Sequence, residues 1–327
     1  AAAGRGIYVA NVPGRNSDAV AELTMGLLLA VDRRIADNVA DLRDGHWDKA
    51  SHSHARGLLG STMGIIGLGS VGLAVAERAV AFGIAVQVVA KEERRPSVQQ
   101  AMDRLGVTTT ASLPDLVSTS DIVSLHVPSA PDTVGMVDAV FLGQMKPGAV
   151  LLNTSRGDVV DEQALATALD AHELRAGLDV YADEPATGKA DWSTPLTQHP
   201  NVVGTHHIGA STEQAQQAVA TGVVEVVQAF SEGRVINCVN LAPARLGSVT
   251  VSVRHLNRVG VLARVLFLLG RAQLNVAQME NRIFSGGEAA VASIDVAGSV
   301  DDTLLDALRQ VPHVVGVSVT RLEPSQA

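Results

Sequence analysis

The sequence predicts an α/β protein: a doubly wound parallel sheet with helices on both faces, then a smaller domain of β-α-β-β-α-β order. Three observations carry this. Between residues 62 and 208, short runs rich in Val, Ile and Leu alternate with helical stretches, the pattern of strands buried on both faces. The first run closes on G-I-I-G-L-G-S-V-G, a G-x-G-x-x-G turn at Gly67, Gly69 and Gly72 between a strand and a helix. After Asn240-Leu241-Ala242-Pro243 the rhythm changes to the ferredoxin-like order, completed in about 75 residues.

The elements follow in chain order. Ser17 and Asp18 offer N-caps to a helix through A-V-A-E-L-T-M-G-L-L-L-A-V-D-R-R-I, apolar on several sides and therefore central. Strands are expected at 62–67, 84–90, 107–110, 121–127, 149–155, 176–181 and 201–208. Helices such as V-G-L-A-V-A-E-R-A-V-A-F and D-E-Q-A-L-A-T-A-L-D-A lie between several of them, and a long helix, T-E-Q-A-Q-Q-A-V-A-T-G-V-V-E-V-V-Q-A-F, comes after. The last domain reads S-V-T-V-S-V, a helix through V-L-A-R-V-L-F-L-L-G-R, two strands around Gly286-Gly287, the helix D-D-T-L-L-D-A-L-R-Q-V and the strand V-V-G-V-S-V-T. The segments divide at 1–16, 17–208, 209–241 and 247–323.

Composition narrows the function. Apolar residues form 46% of the chain and aromatics only 3%, which suits helices on parallel strands better than a β-sandwich. A net charge of −9 argues against nucleic acid as a partner, because phosphate binding needs surplus Lys and Arg. The single cysteine, Cys238, excludes internal disulfides, fits a cytoplasmic location and reads as a packed side chain. No apolar run reaches membrane-spanning length; L-T-M-G-L-L-L-A-V stops at Asp32-Arg33-Arg34. There is no signal-peptide pattern. The chain opens at Ala1 on one apolar strand without a nearby partner, so it is expected to begin inside a domain.

The chemistry concentrates at strand ends. The three glycines allow a tight turn, close approach of a pyrophosphate and close helix–strand packing, with the helix N-terminus facing the phosphates. The acid expected after the second strand for the ribose is absent: Ala90 stands there, before K-E-E-R-R. Lys91, Arg94 and Arg95 there could accept a 2′-phosphate, making NADP the cofactor; alternatively the loop is solvated and Glu92 or Glu93 reaches the ribose. Further on, His126, Thr154-Ser155-Arg156, Asp179 and His206-His207 end four strands at what would be one edge. Hydride transfer from a 2-hydroxy acid needs a base for the hydroxyl proton, which histidine supplies, and a guanidinium for the carboxylate, for which Arg156 is the candidate. An acid must orient the histidine: Glu184 in D-V-Y-A-D-E-P, with Asp183 its rival. Asp179 could bind the nicotinamide carboxamide. Strand alternation lets one of His206 and His207 face the cleft and does not choose between them. His46, His52 and His54 cluster without the ligand frame of a metal site and read as a solvated loop.

With G-I-I-G-L-G-S-V-G, N-T-S-R-G, L-D-V-Y-A-D-E-P and H-I-G-A-S-T-E-Q-A-Q in place, the chain resembles the D-isomer-specific 2-hydroxyacid dehydrogenases over nearly all of residues 7 to 240. It is most similar to members that oxidise D-3-phosphoglycerate and carry a C-terminal ACT domain. The resemblance implies a Rossmann-type domain, the remnant of a flavodoxin-like substrate domain, and NAD as cofactor. It implies Arg156, Glu184 and His207 as the catalytic set, with His206 a bystander where the family usually has proline. Backbone around Ser70-Val71, Val127, Thr154-Ser155 and Gly209 would contact the dinucleotide, with Asp179 at its nicotinamide end. H-L-N-R-V-G-V-L (255–262) resembles the ACT effector loop, with Val259 in place of proline. By that resemblance His255, Asn257 and Gly260 would hold L-serine between subunits of a homo-oligomer, dimer or tetramer. The family's leading strands, with an arginine-serine loop that helps hold substrate, are absent from the sequence.

Three functions are therefore in view. The first is NAD-dependent oxidation of D-3-phosphoglycerate to 3-phosphohydroxypyruvate, opening L-serine synthesis under serine control. The second is an NAD(P)H-dependent reductase of glyoxylate, hydroxypyruvate or another 2-oxo acid, suggested by Ala90. The third is a non-catalytic sensor of dinucleotide and amino acid.

Overall fold

The computed structural model describes residues 1–241 and 247–321; Ala242, Pro243 and the expected end of the last domain at 322–323 lie outside them. The chain forms two compact units. One spans Asn11–Asn237, and the other joins Ala1–Ala10 to the residues from Cys238 onward.

In the first unit α1 (Ser17–Arg33) and α2 (Ile35–Arg43) precede the sheet. The sequence pattern ran one helix through Ile35, but Arg34 sits at φ 47°, a left-handed kink that ends α1. There follow β1 (Thr62–Ile66), α3 (Ser70–Ala81), β2 (Ala85–Val89), α4 (Pro96–Leu105), β3 (Thr108–Thr110), α5 (Leu113–Thr119) and β4 (Ile122–Leu125). Then come α6 (Ala139–Gln144), β5 (Val150–Asn153), α7 (Glu162–Ala171), β6 (Arg175–Leu178), β7 (Val202–Gly204) and α8 (Glu213–Ser231).

All seven strands pair in parallel, in the order β3-β2-β1-β4-β5-β6-β7. The order reverses between β1 and β4, and that switch opens a crevice at the carboxyl ends of the strands. β4 and β5 are buried at every position, which is why they read as unbroken apolar runs. One face packs Met63, Val86 and Leu152 against α1 and α3 through Leu28, Val75 and Ala79. The other packs Val123, Leu125 and Leu151 against α5, α6 and α7 through Leu116, Leu142 and Leu165.

The second unit holds β8 (Val249–Leu256), α9 (Val261–Arg271), β9 (Asn275–Ile283), β10 (Ala289–Ala297), α10 (Asp302–Arg309) and β11 (Val314–Arg321). Its four strands pair antiparallel in the order β11-β8-β10-β9, and Val251, Val253 and Ile294 face Val265, Leu269 and Leu308 of the two helices. This is the expected ferredoxin-like arrangement. The start of the chain belongs to the same unit through an antiparallel bridge between Ala10 and Cys238 and a hydrogen bond from Val9 N to Asn240 Oδ1 of 2.8 Å. Among the described residues no helix is long and apolar enough to cross a membrane.

Candidate active site

The glycine turn is built as its spacing requires. Gly67 follows β1 at φ 97°, and a Cβ there would overlap the carbonyl oxygen of His126. A Cβ at Gly72 would overlap the carbonyl oxygen of Gly67. Gly69, the N-cap of α3, faces open space, and the first N–H groups of α3, from Ser70 and Val71 onward, point outward beside it. An uncovered helix N-terminus behind a Cβ-free turn fits a pyrophosphate. Val127 lies directly across the turn, its Cγ1 3.0 Å from where a Gly67 Cβ would stand.

Beyond β2, Ala90 continues the ladder with its N–H donating to Thr110 O at 2.8 Å. Arg94 turns back to donate to the carbonyl oxygen of Val89, so a guanidinium sits at the end of β2. Lys91, Glu92, Glu93 and Arg95 are exposed around it.

At the end of β5, Asn153 organises the next loop. Its Oδ1 accepts from Ser155 N at 3.0 Å and Ser155 Oγ at 2.8 Å, and its Nδ2 donates to Arg156 O at 2.9 Å. Thr154 Oγ1 is buried 2.8 Å from Thr24 Oγ1 of α1. The side chains of Thr154 and Ser155 are thus engaged within the protein, which leaves Arg156 the exposed member of the trio. Gly157 rests on the next strand's exit: a Cβ there would overlap the carbonyl group of Tyr181. Tyr181 in turn packs edge-on to Trp192, ring centroids 4.9 Å apart, and Ala182 N donates to Glu162 Oε1 at 2.7 Å. These contacts tie the Arg156 loop to the loop bearing Asp183 and Glu184.

Asp179, 1% exposed, holds the last loop. Its Oδ1 accepts from Thr205 Oγ1 at 2.7 Å and Ile208 N at 2.8 Å, and its Oδ2 from Gly209 N at 2.9 Å. Its own carbonyl accepts from His207 N at 2.8 Å. Three donors fill three of the roughly four acceptor positions of a carboxylate. Asp179 therefore acts first as the brace of this loop. Gly209 is needed for close approach, since a Cβ there would sit 3.0 Å from Asp179 Oδ2.

The histidines depart from the strand geometry expected of them. β7 ends at Gly204, so strand alternation does not decide which histidine faces the cleft. His207 adopts φ 53°, a left-handed conformation costing on the order of 1–3 kcal/mol outside glycine. In that conformation its Nδ1 lies 2.6 Å from Glu184 Oε1, both side chains remaining accessible. The pair leaves Nε2 as the ring atom available to a substrate. His206 is exposed beside it. The register places Asn153, Leu178 and Gly204 side by side, so the loops carrying Arg156 and His207 leave the sheet two strand spacings apart, about 10 Å. Arg156 is exposed on the first of these loops, its Nη1 donating to Ser155 O at 2.6 Å, and His207 is exposed on the last.

His126 does not join them. Its ring is turned inward, Nε2 2.8 Å from Ser124 Oγ, and burial lowers its pKa to about 4. His52 bonds to Asp41 at 2.8 Å, and no group of three or more potential metal ligands converges among the described residues. In the second unit His255 is buried, with Nδ1 2.8 Å from Leu256 O and Nε2 3.2 Å from Asn281 Oδ1. Asn257 Nδ2 donates to Gly287 O at 3.0 Å, and Gly260 caps α9 at φ 90° beside a fully exposed Val259. Asn153 and Gly157 stood in the sequence only as the ends of N-T-S-R-G and Thr24 only within a helix, and none was given a role of its own.

The model of the D-isomer specific 2-hydroxyacid dehydrogenase NAD binding domain matches residues 25–209, and that of the ACT domain matches 249–313. The D-3-phosphoglycerate dehydrogenase of Mycobacterium tuberculosis is 38% identical over 269 residues, 81% of this chain and 49% of that protein. The chain thus spans about half the length of the mycobacterial relatives it matches. The D-3-phosphoglycerate dehydrogenase of Escherichia coli is 35% identical over 323 residues, 96% of this chain and 76% of its own. Among solved structures, the D-lactate dehydrogenase of Aquifex aeolicus complexed with NAD and lactic acid superposes with a TM-score of 0.61 at 30% identity, over 71% of this chain and 72% of that one.

Proposed function

Because the chain belongs to the D-isomer specific 2-hydroxyacid dehydrogenase family, we propose that it acts as an NAD-linked dehydrogenase of D-2-hydroxy acids. Within that class we assign it the oxidation of D-3-phosphoglycerate to 3-phosphohydroxypyruvate. The observation that carries the reading is the Glu184–His207 pair at 2.6 Å, set at the sheet edge that also bears the glycine turn and Arg156. A dinucleotide held at Gly67, Gly69 and the start of α3 would supply the hydride acceptor for C2. Arg156 holds the substrate carboxylate through its two-pronged guanidinium. His207 Nε2 takes the hydroxyl proton, and Glu184 at Nδ1 favours the imidazolium so formed. Names of the relatives, two of them D-3-phosphoglycerate dehydrogenases, support the substrate. The matched ACT domain and its 255–260 loop support L-serine as effector, held between subunits of a homo-oligomer.

The test is reduction of NAD⁺ by the purified full-length protein with D-3-phosphoglycerate. His207→Ala is expected to abolish it with melting unchanged; activity persisting in that variant removes His207 from the reaction. Ala90, with Arg94 folded over the end of β2, favours a second reading: a 2-oxo acid reductase using NADPH. Glyoxylate and hydroxypyruvate reduced faster with NADPH than D-3-phosphoglycerate is oxidised with NAD⁺ would replace the first reading with this one.

A further inference from the structure

We propose that the first unit carries a second binding site, for a small multiply charged oxyanion, at the sheet edge opposite the glycine turn. A pocket of about 360 Å³ opens where Gly148 leads into β5, Arg175 begins β6 and Asn201 leads into β7. The end of α1 and residues 51–56 close it. These are the amino ends of the strands, whereas a dinucleotide in this kind of sheet lies at the carboxyl ends.

The lining carries a surplus of one formal positive charge on a chain whose net charge is −9. Four guanidiniums, of Arg33, Arg34, Arg56 and Arg175, meet three carboxylates, of Asp32, Asp37 and Glu173. Two of those carboxylates are committed. Asp37 pairs with Arg34 at 2.9 Å; Asp32, buried, accepts from Gly57 N at 3.3 Å and faces Arg175 at 3.8 Å. Arg56 gives one nitrogen to Asp121 at 2.8 Å, a carboxylate it shares with Lys146 at 3.1 Å. Arg56 and Arg33 both line the pocket.

Arg175 reports the imbalance. Burial lowers its pKa, Asp32 offsets part of this, and the nearby charge of Arg56 lowers it again. Two like charges held close in a half-dry pocket are relieved by an anion that bridges them, and planar guanidiniums bind oxyanions bidentately. His52 also lines the pocket, its ring held in place by Asp41 at 2.8 Å from Nε2. The volume lies near the lower end of the roughly 300–1,000 Å³ of small-molecule sites. It is ample for a phosphate or a tricarboxylate.

The test is calorimetric titration of the full-length protein with inorganic phosphate and, separately, with tricarballylate, at saturating NAD⁺ so that the glycine turn is filled. Saturable binding of either anion at one per chain, weakened at least tenfold in R33Q/R56Q, is expected; which anion binds identifies the source as phosphate or carboxylate. Because Arg56 also holds Asp121, the single variant Arg33→Glu with unchanged melting provides the same comparison without that contact. Absence of saturable binding by both anions, or equal binding in wild type and Arg33→Glu, overturns the proposal.

Discussion

Glu184 Oε1 lies 2.6 Å from Nδ1 of His207, and the two side chains come from different loops, 23 residues apart, that leave neighbouring strands. Both are partly solvated, at 36% and 48% exposure, so the pair contributes at most about 1 kcal/mol to stability. Its value lies in orientation. Nδ1 is held, which fixes the ring plane and leaves Nε2 aimed outward.

Glu184→Gln tests this directly. An amide keeps the size of the side chain but supplies no charge to balance an imidazolium. We expect kcat to fall by one to two orders of magnitude, roughly the contribution of a positioned acid–base partner. Melting should change by less than a degree or two, as is usual for exposed pairs. A variant with full kcat would mean that the contact is incidental.

Asp179→Ala should act through the fold of the site. It leaves Gly209 N without its acceptor in a buried place, and Thr205 Oγ1 and Ile208 N without theirs in partly buried ones. A buried orphaned group costs about 1–3 kcal/mol and the partly buried ones less, so a loss of about 2–4 kcal/mol is expected in urea denaturation. His207 would also lose the frame that keeps it left-handed, at φ 53°. Faster amide exchange of residues 205–209, with exchange in β1 and β4 unchanged, would locate the damage in the loop. Uniform exchange throughout would show instead that Asp179 supports the whole unit.

The contrast between these two residues explains what the sequence could and could not convey. Strands buried on both faces must be apolar throughout, which made β4 and β5 legible as unbroken apolar runs, whereas the edge strand Thr108–Thr110 is largely exposed and was read from its run of threonines. Strand ends were overrun: 121–127 was read as strand, but pairing stops at Leu125, where the chain turns into the crevice. Likewise 201–208 stops at Gly204, which removed the alternation argument for the histidines. Types of residue at strand ends announce chemistry; which loop braces which depends on strand order. Asp179 holding the His207 loop, and Gly157 lying on Tyr181, are consequences of β5, β6 and β7 being neighbours, and no local pattern encodes that.

Gly157→Ala should separate two loops that now touch. A methyl at this position falls on the carbonyl group of Tyr181, which is backbone and cannot rotate away. Overpacking of this kind costs about 1–3 kcal/mol, and the shift would pass to Arg156 on one side and Glu184 on the other. The expected result is a rise in KM with a fall in kcat, since both the carboxylate clamp and the histidine's partner move. Gly69→Ala serves as the contrast: a Cβ there meets nothing within the protein, so stability should be retained while dinucleotide affinity falls. Fluorescence titration with NAD⁺ and urea denaturation of both variants separate the two effects.

His126 predicts a pH dependence of stability. Burial lowers its folded-state pKa to about 4 from an ordinary value of 6.5, and its Nδ1 has no partner among the described residues to hold a proton. Above pH 6.5 the imidazole is neutral in both folded and unfolded chains and contributes no slope. Between 6.5 and about 4 the unfolded chain binds a proton that the folded chain refuses, so stability falls as the pH falls. The full shift corresponds to at most about 3 kcal/mol per proton. His126→Gln keeps a polar group for Ser124 Oγ and removes the titration. Urea midpoints measured from pH 7 down to 4.5 should therefore decline less steeply in the variant than in the wild type. Parallel declines would mean that the folded protein accommodates the charged ring, and that the acid sensitivity arises from carboxylates such as Asp121, whose pKa is lowered by hydrogen bonds from Thr62 N and Lys146 against the opposing effect of burial.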